Sequence, residues 1–465
     1  MMRRSKSFSK FGRCSRILVV LALQPLLLSE SPVSARVEDE TSRELTFTRA
    51  VHSKRLLSEA KASLGELNFL AQPTVFDKSV NGYLVFNSSL EVVGRYRHIR
   101  IPGSIIDISS GGGGRIGTIG GECEFPFLGM SACSKLITFE YRKSILESSE
   151  IEIPGFRFDF HDLKFVEASG SYFGLAYTIK DCAENPTLCR SSHKWFADCE
   201  VSEISATNGR EIRRWAASKH LSGQEVSWQR WRFGLGGPDL PQSFSPTGLY
   251  SDPFHCNSLD FIASSSRNGA GQIMLSMRHT DSLYGINWPS GEIAWKLGGK
   301  PSPARLSNCT GHTRKESLLL GGQHDARYVT ALKGLTPRET FDISVFDNGN
   351  NTKRGARGLL LQVVPSSNCY KIKTLFRDPT NAKSLCTGSF RVLDRGYALA
   401  GWGCSTSGLT LFDRNGNPIV SSSIDSNKSS WALVSPLPAL RTQVSYRVLP
   451  IRRRIIEMLA SNPGS

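Results

Sequence analysis

The chain is 465 residues long and carries 57 Lys and Arg against 41 Asp and Glu, a formal charge of +16. That length exceeds the roughly 250–300 residues one hydrophobic core sustains, so the chain is either multi-domain or built of repeats that extend one core. With 39% hydrophobic and 21% charged residues, wholesale disorder is excluded.

Residues 1–35 read as a secretory signal peptide. Arg3, Arg4, Lys6, Lys10, Arg13 and Arg16 form a basic start, Ile17 to Leu28 an apolar stretch, and Val33-Ser34-Ala35 a small-residue cleavage site. The apolar stretch, about a dozen residues, is too short to cross a bilayer, and no later stretch is long enough. The chain is therefore expected to be secreted or to reside in the secretory lumen, with no integral membrane span once the signal is removed; an uncleaved anchor is the alternative. Without the signal, 51 basic residues face 40 acidic ones, a charge of +11. This excess favours anionic partners, acidic polysaccharides and sulfate esters among them, over nucleic acid, for which no binding motif is present.

Residues 36–69 form a charged segment in which Arg55 to Leu64 has helical spacing and ends at Gly65. From 70 to 450, short β-branched and aromatic runs alternate with Gly, Asn, Asp, Ser and Pro, as strands and turns do. Residues 451–465 are a C-terminal tail. The Gly111–Gly114 run lacks the Gly-Lys-Ser/Thr ending of a phosphate loop and reads as a flexible loop.

One motif recurs, an apolar strand, a tight turn and a second short strand. It appears at 84–93, 204–212, 284–295 and 411–420, with turns near Ser89, Asn208-Gly209, Ser290-Gly291 and Asn415-Gly416. The gaps lie near multiples of about 40 residues, the size of a four-stranded propeller blade. The chain is thus expected to be all-β, a β-propeller of six blades with disulfide-containing loops. A β-sandwich array is the structural alternative.

Ten cysteines follow the signal, an even count that suits disulfides in an exported chain. Cys123 with Cys133 and Cys182 with Cys189 would close short loops; spacing alone does not fix the connectivity. Sequons at Asn87, Asn308, Asn350 and Asn427 suit a glycoprotein.

The residue types that bear chemistry cluster in three signatures. These are Asp252-Pro-Phe-His255-Cys256-Asn257-Ser258, Ser276-Met-Arg278-His279-Thr280 and Gly322-Gln323-His324-Asp325-Ala-Arg327. Histidine serves as nucleophile, acid or base near neutral pH, and arginine clamps tetrahedral oxyanions. The combination suits sulfuryl or phosphoryl transfer. No spacing specifies a metal site, and no cofactor cradle is visible. The remaining histidines, His52, His98, His193, His220 and His312, are expected at the surface.

These signatures carry a resemblance. With Phe160-His161-Asp162, Gly291 to Gly299, Ser344 to Gly349, Arg357-Gly-Leu, Gly401-Trp402-Gly403 and Ser445-Tyr446-Arg447, they lie collinear over about 155–450. In that order they resemble the arylsulfotransferase-like family, which is similar to bacterial arylsulfate sulfotransferases. The resemblance implies a six-bladed propeller with the active site at its central channel. It implies transfer of a sulfuryl group from a phenolic sulfate ester to a phenolic acceptor, with no nucleotide donor. It makes His324 the nucleophile, through a transient sulfohistidine, with His255, Asn257 and Arg278 donating to the sulfuryl oxygens. His255 or His161 would protonate the leaving phenolate and deprotonate the acceptor. Asp325 or a nearby carbonyl would fix the His324 ring, His279 and Arg327 would be support, and Cys256 a disulfide partner or buried thiol. Trp215, Trp228 and Trp231 would line an aryl-binding mouth or pack a blade. Two other functions compete: a non-catalytic propeller that binds anionic glycans or partner proteins, and a hydrolase that passes the group to water.

Overall fold

The computed structural model describes residues 47–71, 82–97, 105–109, 115–127, 130–142, 145–152, 157–189, 193–227, 234–235, 249–263, 270–309, 320–329, 340–350, 352–384, 386–405, 407–424 and 447–451. The signal peptide, the Gly111–Gly114 run, Trp228, Trp231, Asn427, Ser445-Tyr446 and the tail from 452 lie outside them. Among the described residues no helix is long and apolar enough to cross a membrane.

The protein is a β-propeller. The strands Cys256–Ala263, Gly271–Met277, Ser282–Trp288 and Ile293–Gly298 form one antiparallel blade in chain order. His324–Tyr328, Phe341–Asp347, Arg357–Val364 and Cys369–Arg377 form the next. Ser389–Val392, Ala398–Gly401, Leu409–Phe412 and Pro418–Ile424 form a third. A fourth is closed by the far end of the chain, because Val448–Ile451 pairs with Asn68–Ala71, followed by Gly82–Phe86 and Val92–Arg97. Phe47–Val51, not expected as a strand, adds a second closure by pairing with Pro418–Ile424.

The expected count of six blades is corrected. Among the described residues four discrete blades form, and the strands between 105 and 251 make one continuous ten-stranded sheet. The fusion occurs where Cys133 pairs with Phe158 and joins what would otherwise be two meanders. The 40-residue period also misled. Asn208-Gly209 and Ser290-Gly291 stand one meander apart, because an insertion separates the strand ending at Ala216 from the blade starting at Cys256. What the turn signals did mark is position. All four join a third strand to its outer neighbour, and Gly209, Gly291 and Gly416 supply the positive φ (68°, 80° and 85°) that such turns need.

The expected helix is Lys54–Leu64, capped by the Ser53 side chain accepting from Leu56 N and ended by Gly65. Leu57, Ala60 and Leu64 bury against a cluster that includes Leu393, Leu399, Leu411 and Ile419. Cys182–Cys189 closes a local loop as expected, whereas Cys199–Cys256, Cys309–Cys369 and Cys386–Cys404 link more distant positions. Cys133 is disulfide-bonded and stands opposite Cys123 in register.

The inner strands pack side by side: 158–166 on 256–263, 256–263 on 324–328, 324–328 on 389–392 and 389–392 on 448–451. Buried charges stitch them together. Arg327 pairs with Asp162 (2.8 Å) and Asp325 (3.0 Å), and its Nη1 donates to Leu259 O. Arg391 grips both oxygens of Asp325 at 2.7 and 2.8 Å. Arg447 donates to Asp162 Oδ1 and to Asn257 O, each at 2.7 Å. Burial would raise the Asp325 pKa, but Arg391, Arg327 and Arg447 together hold it at about 2.

Because Asp325 titrates below its ordinary 3.8, its stabilisation is complete above that value and lost as the pH falls from 3.8 towards about 2. Asp325→Asn is expected to destabilise the fold by roughly 3–5 kcal/mol, because it leaves buried guanidinium charge uncompensated. Denaturant unfolding at pH 7 checks this; a midpoint unchanged from the parent protein refutes the stitching role.

Candidate functional site

The three signatures meet at one end of the inner strands. His161 lies on Phe158–Val166, His255 and Asn257 at the start of Cys256–Ala263, and Arg278 in a 3-10 turn that ends Gly271–Met277. His324 begins the strand His324–Tyr328. The His161 and His255 rings lie edge to face at 5.3 Å, and His255 lies 4.7 Å from His279. The charges of Arg278, His255 and His161 all reach His324. All five predicted residues therefore belong to one cluster.

Local backbone irregularities aim two of these side chains. His255 (φ 48°) and Asp325 (φ 50°) adopt left-handed conformations that non-glycine residues rarely hold. Register shifts occur beside both, between Cys256 and Ser258 and between His324 and Arg327. Such bulges re-aim side chains near sites. Cys199–Cys256 and a 2.6 Å bond from the Tyr177 hydroxyl to Cys256 O hold the segment after His255.

Each of the three expected catalytic histidines has its Nδ1 against a side-chain oxygen, but the oxygens differ. His161 Nδ1 meets the Asp159 carboxylate. His255 Nδ1 lies 2.6 Å from Asp252 Oδ2, and the His255 backbone N–H donates to Asp252 Oδ1 at 3.1 Å. His324 Nδ1 instead lies 2.7 Å from Asn348 Oδ1. The Asn348 orientation is fixed by Nδ2, which donates to Thr387 O at 2.8 Å and to Ser384 Oγ at 3.1 Å. A backbone carbonyl only accepts, so the amide oxygen faces His324. The His324 proton then sits on Nδ1 and the lone pair on Nε2. Burial foremost, then the positive Arg278, push the His324 pKa well below 6.5. The ring is neutral at neutral pH.

The expected tautomer-fixing role of Asp325 is corrected. Its carboxylate is engaged by Arg327 and Arg391 and by the Phe390 N–H. Asn257 is fully buried, and its Nδ2 donates to Gln323 O at 2.7 Å, fixing the peptide before His324. Trp215 packs rather than lines a mouth: it is buried, stacks on His220 at 5.0 Å and bonds Gly291 O. Of the histidines expected at the surface, His52 is exposed but His193 is buried against Ser251.

Sequence reasoning gave no role to Asp159, Asp252 or Asn348. The first two precede their histidines by two and three residues, a local signal. Asn348 lies 24 residues from His324 and reaches it only because the sheet register sets His324 opposite Phe346.

Asp252, His255 and His279 are the described residues whose donor atoms come within 4.8 Å of one another, as a metal would require. Both imidazole Nδ1 atoms are already turned onto Asp252, and the Arg278 guanidinium lies 3.1 Å from His279 Nε2. A cation at that distance disfavours a second cation and favours an anion. The arrangement suits holding a tetrahedral oxyanion beside a neutral imidazole.

A family model described as arylsulfotransferase (ASST) matches residues 147–424. None of the curated proteins matches the chain. The solved structures similar to it include two that follow. One is a protein of unknown function from Bacteroides caccae, 10% identical, TM-score 0.36, over 83% of this chain and 100% of that one. The other is Kluyveromyces lactis Hsv2, 8% identical, TM-score 0.27, over 64% of this chain and 79% of that one.

Asn348→Asp would set a carboxylate against His324 Nδ1 and is expected to raise the His324 pKa, read from imidazole 1H–15N spectra across pH. No upward shift would refute the amide's role. The wild-type fold is also expected to lose stability as pH falls below 6.5, the ordinary histidine value. The unfolded chain then takes protons that buried His279 and His324 refuse until far lower pH. Thermal midpoints between neutral and acid pH measure it.

Proposed function

The chain belongs to the arylsulfotransferase (ASST) family, and we propose that it carries a sulfuryl group from a phenolic sulfate ester to a phenolic acceptor through a sulfohistidine at His324. The observation that carries this reading is the neutral amide partner of His324, in contrast to the carboxylate partners of His161 and His255. A nucleophile needs a lone pair at neutral pH, and an acid–base group needs a partner that tolerates its positive form. The three histidines divide along that line.

In the first half-reaction His324 Nε2 bonds to sulfur as the bond from sulfur to the aryl oxygen breaks. His255 or His161, as the imidazolium, gives its proton to the departing phenolate. Asp252 and Asp159 stabilise that imidazolium. In the second half-reaction the now neutral histidine takes the proton of the acceptor phenol. The phenolic oxygen bonds to sulfur, the sulfur–nitrogen bond breaks, and His324 is restored. Charge in flight lies on the non-bridging sulfuryl oxygens, which Arg278 meets. Asn257 keeps the peptide before His324 in place. No nucleotide takes part. The pairs Cys182–Cys189, Cys199–Cys256, Cys309–Cys369 and Cys386–Cys404, with Cys133 bonded besides, support an oxidising compartment, and so an exported protein whose signal is residues 1–35.

Purified, oxidised protein given 4-nitrophenyl sulfate and phenol, without nucleotide, is expected to release 4-nitrophenol with phenol-dependent, ping-pong kinetics. Intact mass after brief exposure to the donor alone should show one added sulfuryl group, lost with turnover in His324→Ala. Absence of turnover across varied phenols would sink the reading.

A further inference from the structure

We propose that His279, which takes no part in the chemistry above, is a positioning residue that aims Arg278 at the sulfuryl oxyanion. The inference rests on the proposed function for what Arg278 grips, but not for how Arg278 is held. His279 is 2% exposed. Its Nδ1 lies 2.7 Å from Asp252 O and 3.3 Å from Asp252 Oδ2, and its Nε2 lies 3.1 Å from Arg278 Nη1. A carbonyl oxygen only accepts and a guanidinium only donates. Both ends of the ring therefore demand one tautomer, with the proton on Nδ1 and the lone pair on Nε2 facing Arg278.

The backbone supports the same geometry. Arg278 N donates to His255 O at 2.9 Å, His279 N to Phe254 O at 3.0 Å, and Ser227 N to His279 O at 2.8 Å. The turn that carries Arg278 is thus docked on the segment that carries His255. A continuous path runs from the guanidinium through His279 to Asp252 and on to His255. The charged and titratable groups facing His279 are Asp252, His255 and Arg278. Protonation of Nε2 would remove the acceptor and set two cations together. Burial foremost, with His255 and Arg278 adding to it and Asp252 opposing, keeps the ring neutral. A mobile arginine pays rotamer entropy each time it binds an anion, and an acceptor on its flank removes part of that cost before substrate arrives.

The test is a double-mutant cycle read by equilibrium binding of inorganic sulfate to the full chain. Arg278→Ala and His279→Phe are each expected to weaken sulfate binding by about 10-fold or more. The double variant is expected to lose no more than Arg278→Ala alone. His279→Gln, which keeps a donor and an acceptor, should recover part of the affinity, and far-UV spectra and thermal midpoints identify variants that fail to fold. Losses that multiply in the double variant, or a His279→Phe protein that binds like wild type, would overturn the positioning role. If wild type binds no sulfate, the functional reading fails and imidazole 15N shifts decide the positioning. A His279 Nε2 signal that moves on Arg278→Ala supports it, and an unmoved one overturns it.

Discussion

The structure depends on a knot of opposite charges buried where the inner strands meet. Arg327, Arg391 and Arg447 come from three different strands or their flanks, and Asp162, Asp260 and Asp325 from three others or the same ones. Three guanidiniums against three carboxylates leave little net charge to desolvate. Such a set is costly unless every lone pair is met. Here Asp162 also accepts from Leu259 N (2.7 Å) and Asp260 from Tyr328 N (2.9 Å). The ion pairs therefore tie backbone to backbone, and the angular position of each inner strand is set by geometry rather than by apolar contact alone.

His161 and His324 stand on the same strands as this knot. His161 precedes Asp162, and His324 precedes Asp325. In an extended strand neighbouring side chains point to opposite faces, so one residue of each pair can anchor while the other faces the site. The bulge between His324 and Arg327 modifies that alternation. The left-handed backbone at Asp325 is sustained because Arg391, Arg327 and the Phe390 N–H all hold its carboxylate. Strain beside His324 is offset by the charges that hold the ring of strands.

Much of this was legible in the sequence, for reasons that differ by residue. Asn-Gly and Ser-Gly turns marked real hairpins because positive φ is a local demand. Lys54–Leu64 was legible from its apolar spacing and Gly65. The blade count was not, because a period in sequence measures loops as well as strands, and because one pairing, Cys133 with Phe158, fuses two meanders. The pairings of Val448–Ile451 and Phe47–Val51 with distant strands leave no local trace at all. In the site, residue types marked side chains that do cluster, but the partner of His324 did not lie near it in sequence. Of the two orienting groups expected, Asp325 or a nearby carbonyl, Asp325 is committed elsewhere; the amide carbonyl of Asn348, far along the chain, does the orienting.

That substitution of an amide for a carboxylate has a thermodynamic meaning. A carboxylate at His324 Nδ1 would favour the protonated ring and remove the lone pair from Nε2 over part of the neutral range. An amide fixes the same tautomer without adding negative charge. Burial then depresses the pKa, with the positive Arg278 adding to the effect and the Asn348 bond opposing it. The cost appears in stability, because a neutral buried imidazole is a group the unfolded chain protonates more readily. His279 carries the same cost for a different return, a fixed acceptor for a guanidinium. Two destabilising neutral histidines in one cluster are hard to explain as packing, since apolar residues would fill the space without the acid sensitivity. They are intelligible as parts of a site whose tautomers must be set before an anion arrives.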